Sequence, residues 1–78
     1  MPNQEQHIVE ICNFDDNITV ETNWSACRTF SDESYAVNFV CALSAFNYDG
    51  VMVWVQNDAK KFYRIRSEKM TTTYQRFL

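Results

Sequence analysis

The chain has 78 residues, of which 46% are apolar and 15% aromatic, with ten acids against seven bases and a formal net charge of −3. This is the size of one domain, too short for a two-lobed enzyme, an array of repeats or a dinucleotide-binding fold with its partner domain. The longest uncharged run, residues 34–48, is interrupted by Ser and Asn and is too short to span a bilayer, and residues 1–6 lack the form of a signal peptide, so a soluble, cytoplasmic protein without membrane contact is expected.

Residues 1–6 are polar and read as a flexible leader to the single domain. Residues 7–14 and 18–24 alternate and are rich in Ile and Val, with turn chemistry in Asp15-Asp16-Asn17 between them, so a hairpin is predicted. Facing Phe14 with Ile18 pairs Cys12 with Val20 and Ile8 with Trp24. That register gathers Ile8, Cys12, Phe14, Ile18, Val20 and Trp24 on one face and leaves Glu10 opposite Thr22.

A helix is predicted next. Ser31 is the expected N-cap, Asp32 and Glu33 complement the dipole in the first turn, Phe30 and Tyr35 occupy the staple positions, and Asp49-Gly50 supplies the stop. Tyr35, Ala36, Phe39, Val40, Leu43 and Phe46 form an apolar stripe at helical spacing. Opposite it, Ser34, Asn38, Cys41, Ala42, Ser44 and Ala45 are small and uncharged, where a solvated helix usually carries Lys and Glu. Asn38, Cys41, Ala42 and Ala45 are therefore the expected protein-binding face, covered by a second subunit, a target protein or the C-terminal segment.

Residues 51–56 and 60–66 form a second predicted hairpin around Asn57-Asp58-Ala59. Pairing Gln56 with Lys60 puts Val51, Val53, Val55, Tyr63 and Ile65 on the core face. The other face then carries Trp54, Lys60, Phe62, Arg64 and Arg66 beside Met52. In the tail, 67–78, Met70, Tyr74, Phe77 and Leu78 keep a helical spacing after Ser67, while Thr71-Thr72-Thr73 favours a strand; the balance leans to a short terminal helix. The expected fold is α+β, a small antiparallel sheet of two hairpins with one central helix, in the order ββαββ with that short C-terminal helix.

Charge is polarised along the chain. Residues 1–50 carry eight acids against Arg28, a net −7, and residues 51–78 carry six bases against Asp58 and Glu68, a net +4. Such halves either steer partners or neutralise each other across the fold.

No catalytic set stands out. His7 lies on the opposite strand face from Cys12, and one glycine rules out a phosphate-cradling Gly-rich loop. Cys12, Cys27 and Cys41 are odd in number and far apart, which argues against a disulfide framework or a zinc knuckle. Neither a metal nor another cofactor is expected.

The composition favours a non-enzymatic protein-protein interaction module, a small inhibitor or regulator of a macromolecular partner, of the kind phages and mobile elements encode, and a homodimer. In one version its acidic residues Glu10, Asp15, Asp16 and Glu21 imitate nucleic acid in a basic groove. The alternative is single-stranded nucleic-acid binding, with bases stacked on Trp54 and Phe62 and phosphates tracked by Lys60, Arg64 and Arg66. A thiol-based enzyme is the third and least supported reading.

Overall fold

A computed structural model describes residues 4–70 of the chain. Strand β1 (Gln4–Asn13) leads into a loop with one 3-10 turn (Glu21–Asn23), then β2 (Ser25–Phe30), helix α1 (Glu33–Val40), β3 (Ser44–Tyr48), β4 (Val51–Gln56) and β5 (Lys61–Met70). These five strands make one antiparallel sheet in the order β2-β1-β5-β4-β3. The expected ββαββ pair of hairpins is thereby corrected to ββαβββ, with the longest ladder joining the first strand to the last.

That ladder runs from Gln4 opposite Met70 to Asn13 opposite Lys61. It overturns two expectations about the ends. Residues 4–6 belong to β1 rather than to a flexible leader, and Ser67–Met70 extends β5 rather than starting a helix. The rest of the expected helix, residues 71–78, and residues 1–3 lie outside the described residues.

The first predicted hairpin fails because residues 18–24 satisfy their backbone locally. The Asn17 side-chain oxygen accepts the Thr19 N–H at 2.9 Å and the Thr19 hydroxyl at 2.7 Å, an Asx turn that diverts the chain from a strand path. The Trp24 indole donates to the Ile18 carbonyl at 2.9 Å, closing the segment on itself. Cys12, Ile18 and Trp24 do meet, with Val53 and Phe62, but by a loop folding over the sheet. β1 pairs instead with β2, His7 opposite Phe30, and a bulge between Val9 and Glu10 leaves Cys27 out of the ladder.

The helix is half its expected length. Asp32, not Ser31, is the N-cap, its carboxylate accepting the Ser34 N–H at 3.0 Å. The stripe survives only as Ala36 and Val40, both fully buried, with Phe39 and Leu43 beside them. Beyond it the chain becomes β3, because Asp49 and Gly50 adopt φ of 53° and 85°, the left-handed pair of a type I′ hairpin turn. Asn47 Oδ1 accepts the Gly50 N–H at 2.9 Å and fixes this turn. Asp-Gly can end a helix or turn a hairpin; here the alternation of Ser44, Phe46 and Tyr48 against Val55, Val53 and Val51 decides for the hairpin.

The second predicted hairpin forms with its register moved by one. Lys60 takes φ of 57° and joins the loop, so Gln56 faces Lys61 and Trp54 faces Tyr63. A one-residue shift exchanges faces between partners. Trp54 thus joins Tyr63, Val9, Ile11 and Ile65 under the helix, while Phe62 and Val53 lie with Cys12 and Trp24 on the loop-covered face.

Candidate functional site

Four groups of side chains have the residue types that a site needs. The first is His7, buried on the helix face, with Nδ1 2.7 Å from the Ser67 hydroxyl and Nε2 4.0 Å from a Glu5 carboxylate oxygen. The order of groups suggests a nucleophile with its base, but the carboxylate is beyond hydrogen-bond reach and cannot orient the ring. Of the cysteines, Cys12 is buried, and burial pushes its thiol up, away from the reactive thiolate; Cys27 and Cys41 are free and exposed. Among the described residues no group of three or more His, Cys, Asp or Glu side chains is gathered as a metal would require.

The second group is the expected aromatic and basic platform, which does not assemble. Trp54 packs under the helix, Phe62 is half-buried against Phe14 with ring centroids 4.6 Å apart, and Lys60 sits in the loop. Arg64 and Arg66 do share the loop-covered face but are occupied. Arg64 Nε donates to Glu10 at 2.7 Å, its two terminal nitrogens grip the Glu21 carboxylate at 2.8 and 3.1 Å, and its guanidinium lies 4.4 Å from the Trp24 ring. Arg66 donates to the other Glu10 oxygen at 3.1 Å and to Glu68, which in turn accepts from Gln6.

These contacts also dissolve the third group, the acidic surface. Glu10 is buried between two guanidiniums, and hydrogen bonding to Arg64 holds the Glu21 carboxyl below its usual range. Burial alone would lower the Arg64 pKa, but hydrogen bonds to Glu21 and Glu10 raise it further. Glu21 stays exposed but is paired with Arg64, and only Asp15 and Asp16 of the four stand in an exposed turn apart from the guanidiniums. The network reads as an electrostatic seam fastening the loop and the β1–β5 ladder.

The fourth group is the small uncharged set. Asn38 lies on α1, Cys41 and Ala42 in the turn after it, and Ala45 on β3, all exposed, so they do not share one helix face. Ala45, however, belongs to a larger feature. β3 is the outer strand of the sheet, every residue of it is exposed, and neither it nor β4 contains a charge or a proline. Around it Phe46, Tyr48, Val51 and Met52 are 36–50% exposed.

The other sheet margins are blunted in the usual ways. β2 carries a bulge and Arg28, and the stretch of β5 beyond Tyr63, which has no β4 partner, carries Arg64, Arg66, Glu68 and Lys69. The β3 margin has none of these devices. In the sequence, residues 44–48 fit the end of the expected helix, and the one signal for this edge is an Asp-Gly step between two alternating apolar runs.

Beneath the β3–β4 turn is a cavity of about 190 Å³ lined by Ile18, Thr19, Trp24, Tyr48, Val51 and Arg64. Its one cation is already held by Glu10 and Glu21. No helix among the described residues is long and apolar enough to cross a membrane. Compared with known proteins, the chain matches no family model, no curated protein sequence and no solved structure, so its surfaces are read from their own chemistry.

Proposed function

We propose that this chain is a non-catalytic protein-interaction module, a small regulator of a protein partner that docks as an added strand along β3. The observation that carries the reading is the uncharged β3 edge, exposed along its length, with Phe46 and Tyr48 on it and Val51 and Met52 beside it. Backbone groups on an open strand give affinity to an extended segment, and apolar neighbours give it surface to bury. Three cysteines kept free, two of them exposed, suit a reducing cytoplasm.

The test compares affinity capture from the native host by the wild type, by Ala45→Pro and by an Asp15→Asn/Asp16→Asn variant. A partner held by the wild type and the acidic-turn variant but lost with Ala45→Pro, and one that slows hydrogen exchange at Ala45 and Asn47, supports the reading. Retention by Ala45→Pro, or loss with the acidic-turn variant alone, overturns it.

A further inference from the structure

We infer that the strand taken up by β3 is the β3 of a second copy, in an antiparallel pairing with its two-fold axis at Phe46. The inference rests on the reading of β3 as a docking edge and adds the occupant and the register.

The register follows from the turn. In a two-residue hairpin the closing pair, Tyr48 and Val51, exchanges both backbone hydrogen bonds, and hydrogen-bonded pairs recur at every second residue. Ser44, Phe46 and Tyr48 therefore direct their N–H and C=O groups to β4. Ala45 and Asn47 direct theirs to the open side. A two-fold axis at Phe46 sets Ala45 opposite the partner's Asn47 and the reverse, which satisfies all of these outward groups with about four backbone hydrogen bonds.

Side chains agree with that register. Phe46 meets its own symmetry mate in a non-hydrogen-bonded pair, where side chains approach most closely, and Ser44 meets Tyr48 on the same face. No charge meets itself, because β3 and β4 have none. Among the described residues, seven of the eight buried apolar side chains fall into two separate small clusters, so a chain of this size gains from burying Phe46, Tyr48, Val51 and Met52.

Residues 71–78 are the competing occupant within the chain. A tail pairing on β3 would leave the chain monomeric with slow exchange at Ala45 and Asn47, an outcome that the experiment separates from pairing with a second copy.

The experiment is sedimentation equilibrium of the full chain between about 10 µM and about 1 mM, the range that brackets weak and moderate self-association. The weight-average mass is expected to rise toward twice the 9.2 kDa of one chain. Ala45→Pro should abolish the rise, since it removes an outward N–H that β4 does not use. In a Cys27→Ser/Cys41→Ser background, Phe46→Cys should form an intermolecular disulfide on mild oxidation, whereas Ala45→Cys, which faces Asn47 of the mate, should not. The disulfide arm stands even if Ala45→Pro fails to fold.

A dimer that persists in Ala45→Pro or is not trapped through Phe46→Cys overturns the register. A monomer throughout the range overturns the second copy as occupant, and slow exchange at Ala45 and Asn47 in that monomer assigns the edge to residues 71–78. A monomeric chain that still captures a protein in the Ala45-dependent manner leaves the docking-edge reading standing, which separates the two failures.

Discussion

Glu10 is the group whose removal is expected to cost most for its size. Its carboxylate is buried and accepts from Arg64 and Arg66 on separate oxygens. Glu10→Ala leaves two guanidiniums on one sheet face with no anion between them. Stripping one partner from a buried pair costs about 3–5 kcal/mol. Two observations reduce that figure: Arg64 keeps its grip on Glu21, and the Arg66 side chain, 44% exposed, can rehydrate. About 2–3 kcal/mol remains, and in a domain of this length each kcal/mol moves the thermal midpoint by about 4–8 °C, so a fall of about 10–20 °C is expected by circular dichroism. Glu21→Ala serves as the control, because its carboxylate is exposed and water replaces the lost contact; its midpoint should stay close to wild type and converge on it in high salt. Equal losses for the two variants, or a Glu10→Ala loss erased by salt, would refute the reasoning.

Gly50→Ala meets no atom within 4 Å, so its cost is the left-handed backbone alone, about 1 kcal/mol, read as a lower urea midpoint with unchanged slope. Trp24→Phe removes the indole bond to the Ile18 carbonyl and should speed proteolysis within residues 14–24 ahead of the sheet. Iodoacetamide should label Cys27 and Cys41 in the folded protein and Cys12 only on unfolding, because burial raises the Cys12 thiol. Acid titration should show stability lost as pH falls through the depressed values of Glu21, Asp32 and Glu68. These carboxyls are held down by Arg64, by the Ser34 N–H and by Gln6 with Arg66 respectively, so the unfolded chain takes up protons first. All three carboxyls are exposed, so the loss should be small and shrink further in high salt, measured by urea midpoints across the range.

The elements legible in the sequence were those whose signals had one meaning. Val51–Gln56 alternates with β-branched residues and is a strand in the structure; Asp32 and Glu33 mark a helix start that differs from the expectation by one capping residue. The failures came from signals with two meanings. Asn17 tolerates a hairpin turn but used its side chain to build an Asx turn instead. Ala45 and Phe46 fit the continuation of a helix, and only their pairing with Trp54 and Val53, a tertiary contact, tips them to a strand. Lys60 entering the loop with positive φ carried no signal at all, and that single residue moved Trp54 away from Phe62 and broke up the proposed base-stacking platform.

The charge asymmetry of −7 and +4 acquires a different meaning once the ladder is known. A chain whose first strand pairs with its last sets N-terminal acids beside C-terminal bases: Glu5 opposite Lys69, Glu10 opposite Arg64, and Glu21 brought over Arg64 by the loop. Much of the polarity along the sequence is thereby neutralised across the sheet, and it also opposes one register error, because the two-residue slip that sets Glu10 against Phe62 leaves Ile8 against Arg64 and Gln6 against Arg66 with no acid. Glu10, Arg64 and Arg66 are thereby committed to joining β1 and β5. The part of the sheet left for recognition is the part with no charge, β3 and β4, where neither salt nor pH would be expected to modulate docking directly.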